Sequence, residues 1–190
     1  MCPRIIIKLP DVPKHLKLEY HPDQVALYSK FTELTFNALA LPSVNEFLEN
    51  LSSILGLEKI EVLVMRLPAR RSKIEFVKEE GKTHMVWEEL HGAALKKYDL
   101  ILIWPDLLWP NKKAKPFWCI GIRGATLNST IRAAIHEMLH KSGIADEEEV
   151  RKLTDQHYKN FRCIYLSRFE AEFKPLLNQW KKTEKEMGTR

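Results

Sequence analysis

Ala134-Ile135-His136-Glu137-Met138-Leu139-His140-Lys141-Ser142-Gly143 is the stretch on which the reading of this chain turns. Ile131, Ile135, Met138 and Leu139 recur at helical spacing around it, Asn128 or Ser129 offers a cap after Thr126, and Gly143 offers a stop. On a helix, positions i and i+4 share a face, so His136 and His140 can reach one ion while Glu137 sits beside an open coordination position. Zinc in such a site lowers the pKa of a bound water and polarises a carbonyl, and Glu137 is placed to take the water's proton as general base. With seven histidines in 190 residues, this pattern arises by chance about 0.03 times in a chain of this composition. Coincidence therefore explains it poorly.

Downstream, residues 146–149 crowd acid into the first turn of a further helix, where the dipole favours it, and Asp146 with Glu149 has capping-box spacing. That helix is expected to reach residue 173, Pro175 to disturb it, and the last ten charged residues to fray. Upstream, Tyr98-Asp99-Leu100-Ile101-Leu102-Ile103-Trp104 carries the strongest strand signal. A proline-rich loop over 105–116 and a short strand over 117–122 separate it from the motif helix. Before it, 88–97 reads as one or two helical turns, 74–77 and 84–87 as a hairpin about Glu80-Gly81, and 69–73 as a basic loop. Earlier still come a strand over 59–67, a helix over 43–55 capped by Ser43, a helix to Leu39 and a short strand over 3–9. Packed helices before and after a small mixed sheet of four or five strands, with the motif helix behind the sheet, make the class α+β.

With these elements placed, residues 98–154 resemble the zincin metallopeptidases, whose active-site helix carries His-Glu-x-x-His and whose third zinc ligand follows later. The resemblance implies a zincin-like fold, a peptide or protein substrate, and a substrate-pairing edge strand formed here by Leu100, Ile101, Leu102 and Ile103. Residues 136–146 read His-Glu-x-x-His-x-x-Gly-x-x-Asp, similar to the metzincin signature with Asp146 in place of the usual third histidine. Metzincins also have a methionine turn, and the only later methionine here is Met187. The small gluzincin-like zincins instead take a glutamate from the following helix, which makes Glu147 the alternative. Spacing after Gly143 favours Asp146, since a glycine reversal and three residues bring the chain back toward the metal. If Asp146 is only a helix cap, its carboxylate is accounted for without zinc; Glu148 or a water then also remain open as ligands.

Composition frames these expectations. An apolar fraction of 45% with 29% charged residues excludes disordered and collagen-like classes. The net charge of +5 is diffuse and indicates no nucleic-acid patch. Two basic loops, Arg66, Arg70, Arg71 and Lys73 with Lys112, Lys113 and Lys115, leave nucleic acid possible as a neighbour if they share one side of the cleft. Cys2, Cys119 and Cys163 make neither a disulfide framework nor a Cys-x-x-Cys zinc site, and no apolar run reaches spanning length, so the expected setting is cytoplasmic with no membrane. Domain boundaries are expected at 1–42 for an N-terminal strand and helix extension, 43–180 for the zincin-like domain and 181–190 for a charged tail. His157 falls on an apolar helical face and reads as a packed histidine. Tyr158 reads as a partly buried tyrosine or an oxyanion donor, and Trp104, Trp109 and Trp118 as a lid or cleft lining. The expected function is a zinc-dependent peptidase with His136, His140 and Asp146 as ligands. Its rival is a catalytically silent metal-binding or regulatory module on the same scaffold.

Overall fold

The computed structural model describes residues 4–11, 22–66, 70–77, 82–89, 92–95, 99–103 and 126–188. In chain order these form β1 (Arg4–Lys8), α1 (Pro22–Leu39), α2 (Pro42–Ile54), β2 (Lys59–Val64), β3 (Arg70–Val77) and β4 (Lys82–Glu89). There follow β5 (Gly92–Leu95), β6 (Leu100–Ile103), α3 (Thr126–Lys141) and α4 (Glu147–Gly188). Four strands make one mixed sheet in the order β1-β2-β6-β5, with β1, β2 and β6 parallel and β5 antiparallel. Strands β3 and β4 pair separately as an antiparallel ribbon.

Period-two burial explains the sheet. Ile5, Ile60, Val62, Val64, Ile101 and Ile103 point into the core, and in register Val62 lies beside Ile101 and Val64 beside Ile103. Each such side chain taken from water contributes about 1.5–3 kcal/mol. The expectation of an edge strand at Leu100, Ile101, Leu102 and Ile103 is overturned: β6 is interior, paired with β2 on one side and β5 on the other. An unbroken aliphatic run with Ile101 and Ile103 fully buried suits a strand covered on both edges. Among the described residues the edges of the sheet are β1 and β5, the latter in the 88–97 stretch expected to be helical; β4 also runs to Glu89 there, and β3 begins at Arg70 inside the expected loop. Pairing with β6 overrides the helix preference of Ala93, Ala94 and Leu95.

The helices cover the buried face. On α3, Ile131, Ala134, Ile135, Met138 and Leu139 are buried, and this helix packs against β5 and β6. Ser43 is not the cap of α2: Leu41 holds the cap position, Pro42 opens the helix, and the Ser43 backbone N–H donates to Glu172 of α4 at 2.9 Å. Phe161 of α4 sits edge-on to Phe47 at 5.1 Å and to Phe169 at 5.7 Å, joining α2 to α4 through aromatic contact. Helix α4 continues through Pro175 into the expected tail, with Phe169, Phe173, Leu176 and Leu177 packing on both sides of the proline. Residues 1–42, expected as an extension, supply the outer strand β1 and the core residues Ile5, Leu34, Ala38 and Leu39. Residues 104–125, with Trp104, Trp109, Trp118, Cys119 and the expected strand over 117–122, lie outside the described residues, as do Cys2 and His91. Among the described residues, no helix is long and apolar enough to cross a membrane.

Candidate metal centre

The end of α3 builds the site. Gly143 adopts φ 107°, a left-handed conformation that glycine takes without steric penalty. The Gly143 N–H then donates to the His140 carbonyl at 3.1 Å and the Ile144 N–H to the Leu139 carbonyl at 3.3 Å, a Schellman closure of the helix. This reversal delivers the Ile144 carbonyl to Nδ1 of His140 at 2.9 Å. A carbonyl only accepts, so Nδ1 carries the proton and Nε2 of His140 presents its lone pair outward.

Helix α4 starts three residues later, and its first two acidic residues part company. Asp146 is the cap: its Oδ1 accepts the Glu149 N–H at 2.7 Å, and its backbone carbonyl accepts the Val150 N–H at 3.0 Å. Glu147, the next residue, points back over the end of α3, with Oε1 3.2 Å from His140 Nε2 and Oε2 3.6 Å from His136 Nε2. The two Nε2 atoms are 3.1 Å apart. Among the described residues, His136, His140 and Glu147 are the histidine, cysteine or acidic group whose atoms gather closely enough to hold one ion. The expected ligand Asp146 is not brought to the pair, because its carboxylate closes the first turn of α4; the alternative Glu147 is. Glu148 is exposed in the same turn and outside the cluster.

The spacing suits one ion. Nitrogen and oxygen ligands 2.0–2.2 Å from a zinc stand about 3.3–3.5 Å from one another; the two Nε2 atoms are 3.1 Å apart, and each has a different oxygen of the Glu147 carboxylate near it, at 3.2 and 3.6 Å. Burial, reinforced by the neighbouring His140, holds the His136 imidazole below its usual pKa, against the opposing pull of Glu147. A neutral imidazole is the form that binds metal. The Glu147 side chain is 61% exposed, against 23% for His136 and 16% for His140, which leaves the solvent side of the cluster open.

Glu137 lies beside this cluster in a different environment. It is buried, and burial pushes its carboxyl up to about 7, although the His140 ring and a hydrogen bond from the Ala94 backbone N–H pull the other way. Ala94 belongs to β5, so the sheet edge and the motif helix meet at this carboxylate. One turn on, Lys141 Nζ donates to the Leu95 carbonyl at 3.3 Å and pairs with Asp99 at 3.3 Å, fastening α3 to the end of β5 and to the residue before β6.

Other residues singled out by sequence stand apart. Tyr158 and His157 lie ten or more residues beyond Glu147 on α4, about 15 Å along the axis. Tyr158 packs on Phe161 with the Arg132 guanidinium over its ring at 5.4 Å, and His157 is half-buried with burial lowering its pKa. Tyr158 is a packing residue, and His157 is not part of the donor cluster. Arg66 pairs with Glu33 at 3.7 Å, and Cys163 is exposed as a free thiol. Sequence reasoning passed over Gly92, Ala94 and Lys141. A glycine followed by two alanines just before the strongest strand is the available signal, since small residues mark a close backbone approach.

Comparison with protein-family models, curated proteins and solved structures finds no match for this chain.

Proposed function

We propose that this chain is a zinc-dependent peptidase, with His136, His140 and Glu147 as zinc ligands and Glu137 as general base. The observation that carries the reading is a division of labour: two imidazoles and a carboxylate gathered closely enough to hold one ion, and next to them a buried carboxylate that is not among the ligands. A purely structural site has no use for that fourth group, whose burial is unfavourable to its charged form.

Zinc bound by these residues would supply an acidified water and a Lewis acid for a substrate carbonyl. The protein's part follows from its own geometry. His140 is held in one tautomer by the Ile144 carbonyl, so its ring nitrogen faces the cluster without reorganisation. Glu137 is placed to take a proton from the attacking water and return it to the leaving amine. The antiparallel strand β5, at the sheet's edge among the described residues, rather than β6, offers the backbone along which an extended peptide can lie beside Glu137.

The test is metal content together with turnover of a mixed library of quenched-fluorescent peptides. One zinc per chain, cleavage abolished by chelator, and a Glu137→Gln variant that keeps zinc but loses at least about a thousandfold in turnover are expected. Stoichiometric zinc without cleavage would favour the silent module; cleavage retained by Glu137→Gln would remove the mechanism.

A further inference from the structure

The backbone of β5 runs closer to Glu137 than any residue but glycine permits. A Cβ placed on Gly92 would stand 2.6 Å from Glu137 Oε1, 2.7 Å from its Cγ and 3.0 Å from its Cδ. Carbon atoms in well-packed proteins meet at about 3.5–4.0 Å. The overlap involves the stem of the side chain as well as its tip, so a small swing of the carboxylate does not relieve it. Nor is there free space for a large one, since Glu137 is only 7% exposed.

Two more contacts hold the same strand to the same helix face. The Ala94 N–H donates to the Glu137 carboxylate, and the Leu95 carbonyl accepts from Lys141, four residues beyond Glu137 and on the same side of α3. The carboxylate is thus held by backbone: the missing side chain of Gly92 on one flank and the amide of Ala94 on another. Backbone anchored in a sheet is a stiffer stop than a side chain, which can change rotamer.

We infer that Gly92 is a positioning residue for Glu137, its absent side chain setting where the carboxylate lies relative to His136, His140 and Glu147. The inference rests on the reading of Glu137 as the base. Any residue with a Cβ at position 92 has two outcomes open to it: Glu137 leaves the Ala94 amide and moves, or β5 moves off α3. The first displaces the base from the donor cluster without touching a ligand; the second strips the carboxylate of its Ala94 amide and of the backbone that holds it in place.

The experiment is a four-protein cycle of wild type, Gly92→Ala, Glu137→Ala and the double variant, reading zinc content, melting temperature and peptide turnover. Gly92→Ala should keep its zinc and change KM by no more than about twofold while kcat falls about a hundredfold, the scale of a misplaced catalytic group. Its melting temperature should fall by about 3–6 °C when Glu137 is present. In the Glu137→Ala background, where the obstructing stem is gone, the same change should be neutral or slightly stabilising. Unchanged kcat in Gly92→Ala overturns the inference. So does an equal melting loss in both backgrounds, which would mean that the glycine serves the strand alone. If the wild type cleaves no peptide, the peptidase reading fails, and the thermal cycle then decides: coupling between the two positions sustains Gly92 as the residue that places Glu137, and its absence overturns it.

Discussion

Asp146 and Glu147 differ by one methylene and one position, and the helix start assigns them opposite work. At the cap position a short carboxylate reaches the N–H three residues on, and Asp146 does so at 2.7 Å. At the first helical position a longer one can turn outward, and Glu147 reaches both imidazoles. Asp146→Asn should therefore leave zinc affinity within about threefold, because asparagine also caps. Asp146→Ala should lower stability by about 0.5–2 kcal/mol. Glu147→Gln should weaken zinc binding by about a hundredfold or more, since an anionic ligand is lost; competition against a fluorescent chelator reads all three. Normal zinc affinity in Glu147→Gln with loss in Asp146→Asn would restore the assignment that spacing alone favours. At this scale the two histidines and Glu137 were legible because i, i+4 spacing is a property of any helix. The third member of the cluster was less so: Gly143 fixes a reversal, but which of two neighbouring carboxylates completes the cluster depends on how the next helix is capped. The Asp-x-x-Glu pattern at 146–149 was the clue that Asp146 was already committed.

Elements were legible in proportion to how local their causes are. Helices α1 to α4 announce themselves through apolar spacing, and the β3–β4 ribbon through its alternating runs. Strand β5 does not, because Gly-Ala-Ala-Leu carries no alternation and gains its conformation from hydrogen bonding to β6 and contact with α3. The position of β6 inside the sheet was equally hidden, since strand order is decided by pairing across long sequence separations. The same reasoning predicts where β5 is weakest. It is four residues long, and Lys141, whose side chain is only 9% exposed, ties its last carbonyl and Asp99 to α3. A hydrogen bond from a charged donor contributes about 1.5–3 kcal/mol. Lys141→Met keeps the aliphatic stem but removes the ammonium, and should raise amide hydrogen exchange in residues 92–95 by about tenfold or more, with zinc content unchanged. Exchange equal to wild type would show that β5 is held by its pairing with β6 alone.

Across the whole molecule, α4 is the member that ties the site to the core. Its 42 residues extend about 63 Å. Its first residue reaches the α3 histidines, Phe161 packs against Phe47, Phe169 and Tyr165, and Glu172 accepts the Ser43 N–H at the start of α2. A metal shared by the end of α3 and the start of α4 would therefore link two helices that the folded core already places side by side. An unfolded chain has no such arrangement, so zinc binding should appear as folding free energy. At a free zinc concentration one hundred times Kd, mass action adds about 2.7 kcal/mol, or a rise of roughly 5–11 °C in melting temperature for a chain of this length. Phe161→Ala removes a fully buried ring and should lower stability by about 3–5 kcal/mol. It lies some 21 Å along α4 from Glu147 by helix rise, so the increment from zinc should be the same in that variant as in wild type. His140→Ala should abolish the increment while leaving the metal-free melting temperature within a few degrees. Differential scanning calorimetry with zinc or chelator on the three proteins checks this. A zinc increment that shrinks in Phe161→Ala would mean that the site and the aromatic core do not unfold as independent contributors to one cooperative structure.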